Sequence, residues 1–165
     1  MGETAADLLK LKNDPQLGKA YPTIALFDSL LDIDYARSDL GIFEEAVSHV
    51  FSEFNCSIAA IDTQILQMSL DDSRLDSLTD QKLILIADLY QKLEWLHPFP
   101  DGQGRTDLIM LGMLLSKHGF CPAILDEPYV SSFAPLAEWV NYLKEGMKKW
   151  QGLAKASAVF ESCLA

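Results

Sequence analysis

Positive charge is scarce in this chain: 13 lysines and arginines stand against 24 aspartates and glutamates in 165 residues, a net charge of −11. That balance excludes a protein that binds nucleic acid through its whole surface, and it makes any phosphate site a local patch of positive potential. Cysteine is scarce as well. Cys56, Cys121 and Cys163 are odd in number and widely spaced, which argues against a disulfide framework and for a reduced compartment. His118 with Cys121, and His49 with Cys56, do not supply four ligands at zinc-site spacing. No apolar run reaches the roughly 20 residues that a membrane span needs, and MGETAADLLKLKND has neither the basic flank nor the apolar core of a signal peptide. The expected location is cytoplasmic, or inside a host cell if the chain is delivered by a secretion route that needs no cleaved signal.

What the chain does have is apolar content, 49% of residues, enough to bury a core without disulfides or a structural metal. The periodicity is mostly helical. Ile24, Leu26, Phe27, Leu30, Leu31 and Ile33 follow Pro22 and predict a helix over 23–34. Ser38-Asp39 opens a second helix, in which Leu40, Phe43, Val47, Val50, Phe51 and Phe54 recur at three- and four-residue spacing. SIAAIDTQIL, 57–66, is β-branched and partly alternating and predicts a short hairpin. LDDSRLDSLTD, 70–80, reads as a loop. From Asp80 a helix runs to His97 with Leu85, Ile86, Leu89, Leu93 and Leu96 on one face. A further helix from about Arg105 to Lys117 is apolar nearly all round, hence expected at the centre, with Gly119 as its stop. SSFAPLAEWVNYLKEGMKKW and LAKASAVFESCLA each predict a helix. The expected fold is all-α, in a single domain over 1–165.

Between two of these helices lies HPFPDGQGR, residues 97–105. Pro98, Pro100 and Asp101-Gly102 are turn formers, so a tight interhelical loop accounts for each residue singly. Their arrangement suggests more. Gly102 and Gly104 let consecutive backbone N–H groups converge on an anion, at the start of a helix whose dipole also favours one. Arg105 adds a bidentate phosphate donor. Asp101 is a hard carboxylate suited to Mg²⁺ beside phosphate oxygens. His97, with an ordinary pKa near neutrality, can act as general base toward a hydroxyl. Phe99, between these polar groups, is expected to point into the core and anchor the loop.

The nine residues resemble the HPFx[D/E]GNGRxxR signature of Fic (Fido) domain proteins, and the flanking helices extend the likeness over about 40–150, leaving 151–165 as a C-terminal helix. The resemblance implies a transferase that moves a nucleotide monophosphate, AMP or another, from a nucleoside triphosphate to a Ser, Thr or Tyr hydroxyl of a target protein. ATP is the expected donor and Mg²⁺ the expected cofactor, with no nucleic-acid partner and no membrane span. It assigns His97 as base, Asp101 as Mg²⁺ ligand, Gly102, Gln103 and Gly104 as anion hole and Arg105 as phosphate clamp. It also implies a hairpin flap that aligns the target, for which Ile58, Ile61, Thr63 and Ile65 are the candidates.

Two positions depart from the signature. Gln103 replaces Asn, and Leu108 replaces the second Arg. Leu108 has two readings: a missing clamp on the donor's terminal phosphate, or a member of the apolar stripe with Leu111 and Leu115. The alternatives to nucleotide transfer are therefore transfer of phosphate or phosphocholine, and a degenerate scaffold that binds nucleotide or protein without turnover.

Overall fold

A computed structural model describes residues 2–27, 30–35, 40–69, 71–99 and 101–164. Along these residues run helix α1 (Gly2–Lys12), strands β1 (Thr23–Phe27) and β2 (Leu30–Asp34), and helices α2 (Leu40–Leu66), α3 (Leu75–Leu96), α4 (Gln103–Lys117) and α5 (Leu136–Leu164). Short 3-10 helices lie at Gly18–Ala20 and Pro128–Ser132. The class is all-α, with one antiparallel hairpin among the described residues.

The central helix is α3. Leu83, Ile86, Ala87, Leu89, Tyr90, Leu93 and Leu96 are all buried, covering more than one face, and α2, α4 and α5 each pack against it. This displaces α4 from the expected centre. Its buried residues are Gln103, Asp107, Leu111 and Leu115, a narrow four-residue stripe, while Ile109 and Met113 face solvent. A long apolar run marks the centre only when the neighbours surround it, and here they surround α3.

The expected helix over 23–34 is the hairpin. Ile24 pairs with Ile33, Leu26 with Leu31, Ala25 with Asp32 and Thr23 with Asp34. Six apolar residues in twelve positions satisfy either period, and β-branched Thr23, Ile24 and Ile33 favour the extended form. Conversely, the expected hairpin over 57–66 is the last third of α2. Ile58 and Ile61 are buried below Phe54 at helical spacing, and the Thr63 hydroxyl donates to the Ala59 carbonyl at 2.8 Å. Ile65 is half-buried on the same helix. Ile58, Ile61, Thr63 and Ile65 are therefore helical, with Ile58 and Ile61 in the core, and do not form a hairpin flap. Core burial outweighs the modest helix penalty of β-branched residues.

Two boundaries also differ, while Ser38 and Asp39, the expected cap of α2, lie outside the described residues, as does Pro100. Helix α3 starts at Leu75, inside the expected loop. The two expected C-terminal helices are one, because Gly152 costs a helix interior only about 1 kcal/mol and the flanking turns continue through it. Gly119 does end the α4 segment as expected, with φ of +85°. The chain from α4 to α5 is tied down by buried Gln91, whose Nε2 donates to the carbonyls of Ser131 at 2.6 Å and Ala134 at 2.8 Å. Trp95 Nε1 donates to the Ser132 carbonyl at 3.0 Å.

Candidate active site

The motif loop spans the gap between the end of α3 and the start of α4. Helix α3 stops at His97, whose N–H still reaches the Leu93 carbonyl at 2.9 Å but whose φ is 53° and ψ 57°. The cause is Pro98, since a residue before proline is driven out of the right-handed helical region. His97 is the one non-glycine residue at positive φ among the described residues, a conformation that costs of order 1–2 kcal/mol. Helix α4 restarts after Gly102, at φ of 78°, where glycine carries no such cost. The Thr106 N–H to the Gly102 carbonyl, 2.9 Å, is its first turn. The N–H groups of Gln103, Gly104 and Arg105 thus belong to a helix N-terminus, where they lack intrahelical acceptors and carry the positive end of the dipole.

The Gln103 side chain holds this turn in place. It is buried, and its Oε1 accepts the Phe99 N–H at 2.9 Å while its Nε2 donates to Asp107 Oδ2 at 2.5 Å and to the Leu93 carbonyl at 3.4 Å. Only its backbone N–H points the way an anion hole needs. Phe99 anchors the loop through that backbone bond, not through its ring, which is 44% exposed. The expectation that the ring enters the core is overturned, since the αL turn at His97 redirects the chain just before it.

His97 is half-buried, with its Nδ1 enclosed. The ring stacks on Tyr35, immediately after β2, with centroids 4.3 Å apart. Asp101 and Arg105 lie at the solvent side, their side chains 95% and 79% exposed, with Arg105 Nη2 at 3.6 Å from Asp101 Oδ1. Leu108 is 38% exposed, outside the sealed stripe of Leu111 and Leu115. The stripe reading of Leu108 does not hold.

Two carboxyls lie beneath the loop. Asp107 is 2% exposed, and its partners are Gln103 and Glu94 of α3. Burial is the leading cause that pushes both above the ordinary carboxylate range, Glu94 to about 8; its hydrogen bond to Asp107 and the charge of Asp107 add to the rise. Burial likewise raises the Tyr90 phenol, which faces the same pair. The sequence reading missed Tyr35 and Glu94. Glu94 was detectable in principle, as an acid on the buried helix one turn before the motif; no local signal marks Tyr35.

A cavity of about 490 Å³ between α2 and α3, lined by His49, Glu53, Cys56, Asp88 and Lys92, includes no motif residue. The loop's chemistry, and not this cavity, marks the candidate site. No helix of the described residues is long and apolar enough to cross a membrane.

No curated protein and no solved structure matches the chain. Residues 38–115 do match the model of the Fic/DOC family, a stretch that takes in α2, α3, the motif loop and nearly all of α4, and this part of the chain is a Fic domain.

Proposed function

We propose that this Fic-domain protein is a transferase that moves a nucleotide monophosphate from a nucleoside triphosphate, ATP first among candidates, to a Ser, Thr or Tyr hydroxyl of a target protein. The observation that carries the proposal is His97: a strained, ring-stacked imidazole with its Nδ1 enclosed, one loop away from a helix N-terminus that bears Arg105. Strained backbone at non-glycine residues clusters at active sites and ligand clamps.

In this reading the backbone N–H groups of Gln103, Gly104 and Arg105 receive the donor's phosphate oxygens, and the Arg105 guanidinium adds a charge-assisted pair. His97 accepts the proton of the target hydroxyl through Nε2 as the oxygen attacks the α-phosphorus. The new O–P bond forms as the bond to pyrophosphate breaks. Asp101 fits Mg²⁺, since a single exposed carboxylate suits an ion that takes its remaining ligands from water and phosphate. That ion would neutralise polyphosphate charge. The β1–β2 hairpin, whose end carries Tyr35 onto His97, takes the flap role first expected at 57–66, and its edge can pair with a target backbone.

Leu108 supports a second reading. With no cation at this exposed position, a donor lacking a terminal triphosphate charge, or one that transfers phosphate or phosphocholine, loses nothing.

The test is a set of labelled donors (ATP, UTP, GTP, CTP, CDP-choline) incubated with cell lysate, comparing the wild-type protein with His97→Ala. The substitution should lower transfer by about 10²-fold or more, while nucleotide affinity changes little. Equal labelling by both proteins would remove His97 as the base. Nucleotide binding without any transfer would leave a binding module.

A further inference from the structure

We infer that Asp107 is a positioning residue of the motif loop, and that a proton held between Glu94 and Asp107 keeps it in that role. The chain of contacts is short. The Phe99 N–H is held by Gln103 Oε1, and Gln103 is held in turn by Asp107 Oδ2. Asp107 can orient the Gln103 amide only as an acceptor, and it is enclosed, so it cannot seek water instead. The second carboxyl in contact with it, Glu94, is half-buried. Two carboxyls in hydrogen-bond contact need a proton between them, because two adjacent carboxylates repel.

The charge assignment follows from the surroundings. Asp107 accepts from Gln103, feels His97, and belongs to the N-terminal part of α4, all of which favour its anion. Glu94 therefore carries the proton. The groups facing the pair are Tyr90 on α3, His97 on the loop and Gln103 on α4. From α5 comes the Trp139 ring, 5.2 Å from that of Tyr90 and without a titratable group. When Glu94 ionises, the two anions separate. Either Glu94 turns to solvent, leaving α3 and α4 without their bridge, or Asp107 shifts and takes Gln103 with it. Both loosen the turn that carries His97 and Phe99.

The sign of the pH effect follows. The unfolded chain loses the Glu94 proton near 4.5, and the folded chain near 8. Between these values the folded protein binds the extra proton, so this contribution to stability is complete below 4.5 and is lost as pH rises through about 8. The inference rests on the transfer reading only for why the loop's position matters, and its test requires no turnover.

Amide-exchange protection of Phe99 and the Tm, measured from pH 5 to pH 9 on the wild type, Glu94→Gln and Gln103→Ala, decide it. In the wild type, Phe99 protection should drop by about 2- to 10-fold above pH 8, the effect of one hydrogen bond. Glu94→Gln, which cannot ionise, should keep its protection at pH 9 and melt above the wild type there by roughly 2–4 °C, a gap that closes near pH 5. Gln103→Ala should lack the protection at every pH. Superimposable wild-type and Glu94→Gln profiles, or full wild-type protection at pH 9, would overturn the inference. If Glu94→Gln folds poorly, the wild-type profile set against that of Gln103→Ala decides alone. A protein that shows this transition but never labels a target would retain the inference and lose the transfer reading.

Discussion

The ring of Tyr35 lies on the imidazole of His97, centroids 4.3 Å apart and planes inclined by 27°. The first residue after the hairpin thus fixes the ring at the end of α3. An aromatic stack of this kind contributes about 0.5–1.5 kcal/mol beyond the area it buries, enough to select one imidazole orientation.

Tyr35→Ala should therefore lower kcat for transfer by about 2- to 10-fold, the rate equivalent of that stacking energy, with KM for the nucleotide nearly constant. Tyr35→Phe keeps the ring and should keep the rate. Steady-state kinetics on an identified target check this, and a Tyr35→Ala enzyme with wild-type kcat would mean the stack has no part in orienting His97.

Arg105 and Asp101 sit together at the solvent side of the loop, 3.6 Å apart. Arg105→Ala should weaken nucleotide binding about tenfold or more, as expected for loss of a charge-assisted contact. Asp101→Ala should instead abolish the Mg²⁺ dependence of binding. Calorimetry with ATP or UTP, with and without Mg²⁺, separates the two. Wild-type titrations from both variants would place the phosphate site elsewhere.

Leu108→Arg places a cation at a position that is 38% exposed, so no buried charge is created and the Tm should move little. Residue 108 shares a helix face with Arg105, and the new guanidinium should raise triphosphate affinity by roughly 1.5–3 kcal/mol. A stable Leu108→Arg protein with unchanged affinity would show that a missing clamp does not distinguish this chain from intact members.

Gly146 sits within α5, where alanine propensity alone would stabilise by about 1 kcal/mol. Sterics oppose it: a Cβ there would lie 2.8 Å from the Ile124 carbonyl oxygen, on backbone that also donates its N–H to the Gly146 carbonyl at 3.1 Å. Gly146→Ala should therefore destabilise by about 1–3 kcal/mol, seen as a lower Tm. A raised Tm would mean that the segment before the Pro128–Ser132 turn yields freely.

Much of this was legible locally. Helix α3 and its end at His97 follow from a wide apolar face running into Pro98. The glycine at 119 stops the α4 segment, and the motif's Pro98 and Gly102 mark where one helix ends and the next begins. Those features are encoded by neighbours in sequence, so short-range periodicity and turn chemistry reveal them. Where two periods fit equally, the local pattern points the wrong way: it predicts a helix over 23–34, which is the hairpin, and a hairpin over 57–66, which is helix. For 57–66 the deciding term was the burial of Ile58 and Ile61 where α2 packs on α3, which no window of a dozen residues contains.

The chemistry under the loop belongs to the tertiary structure altogether. Tyr35 reaches His97 because the hairpin returns the chain there, and Glu94 reaches Asp107 because α3 and α4 pack with those positions in contact. Sequence alone determined which groups are present and their ordinary proton affinities. The packing determined which are dry, which touch, and so which side chain in the pair keeps its proton, because desolvation and like-charge repulsion act between residues far apart along the chain.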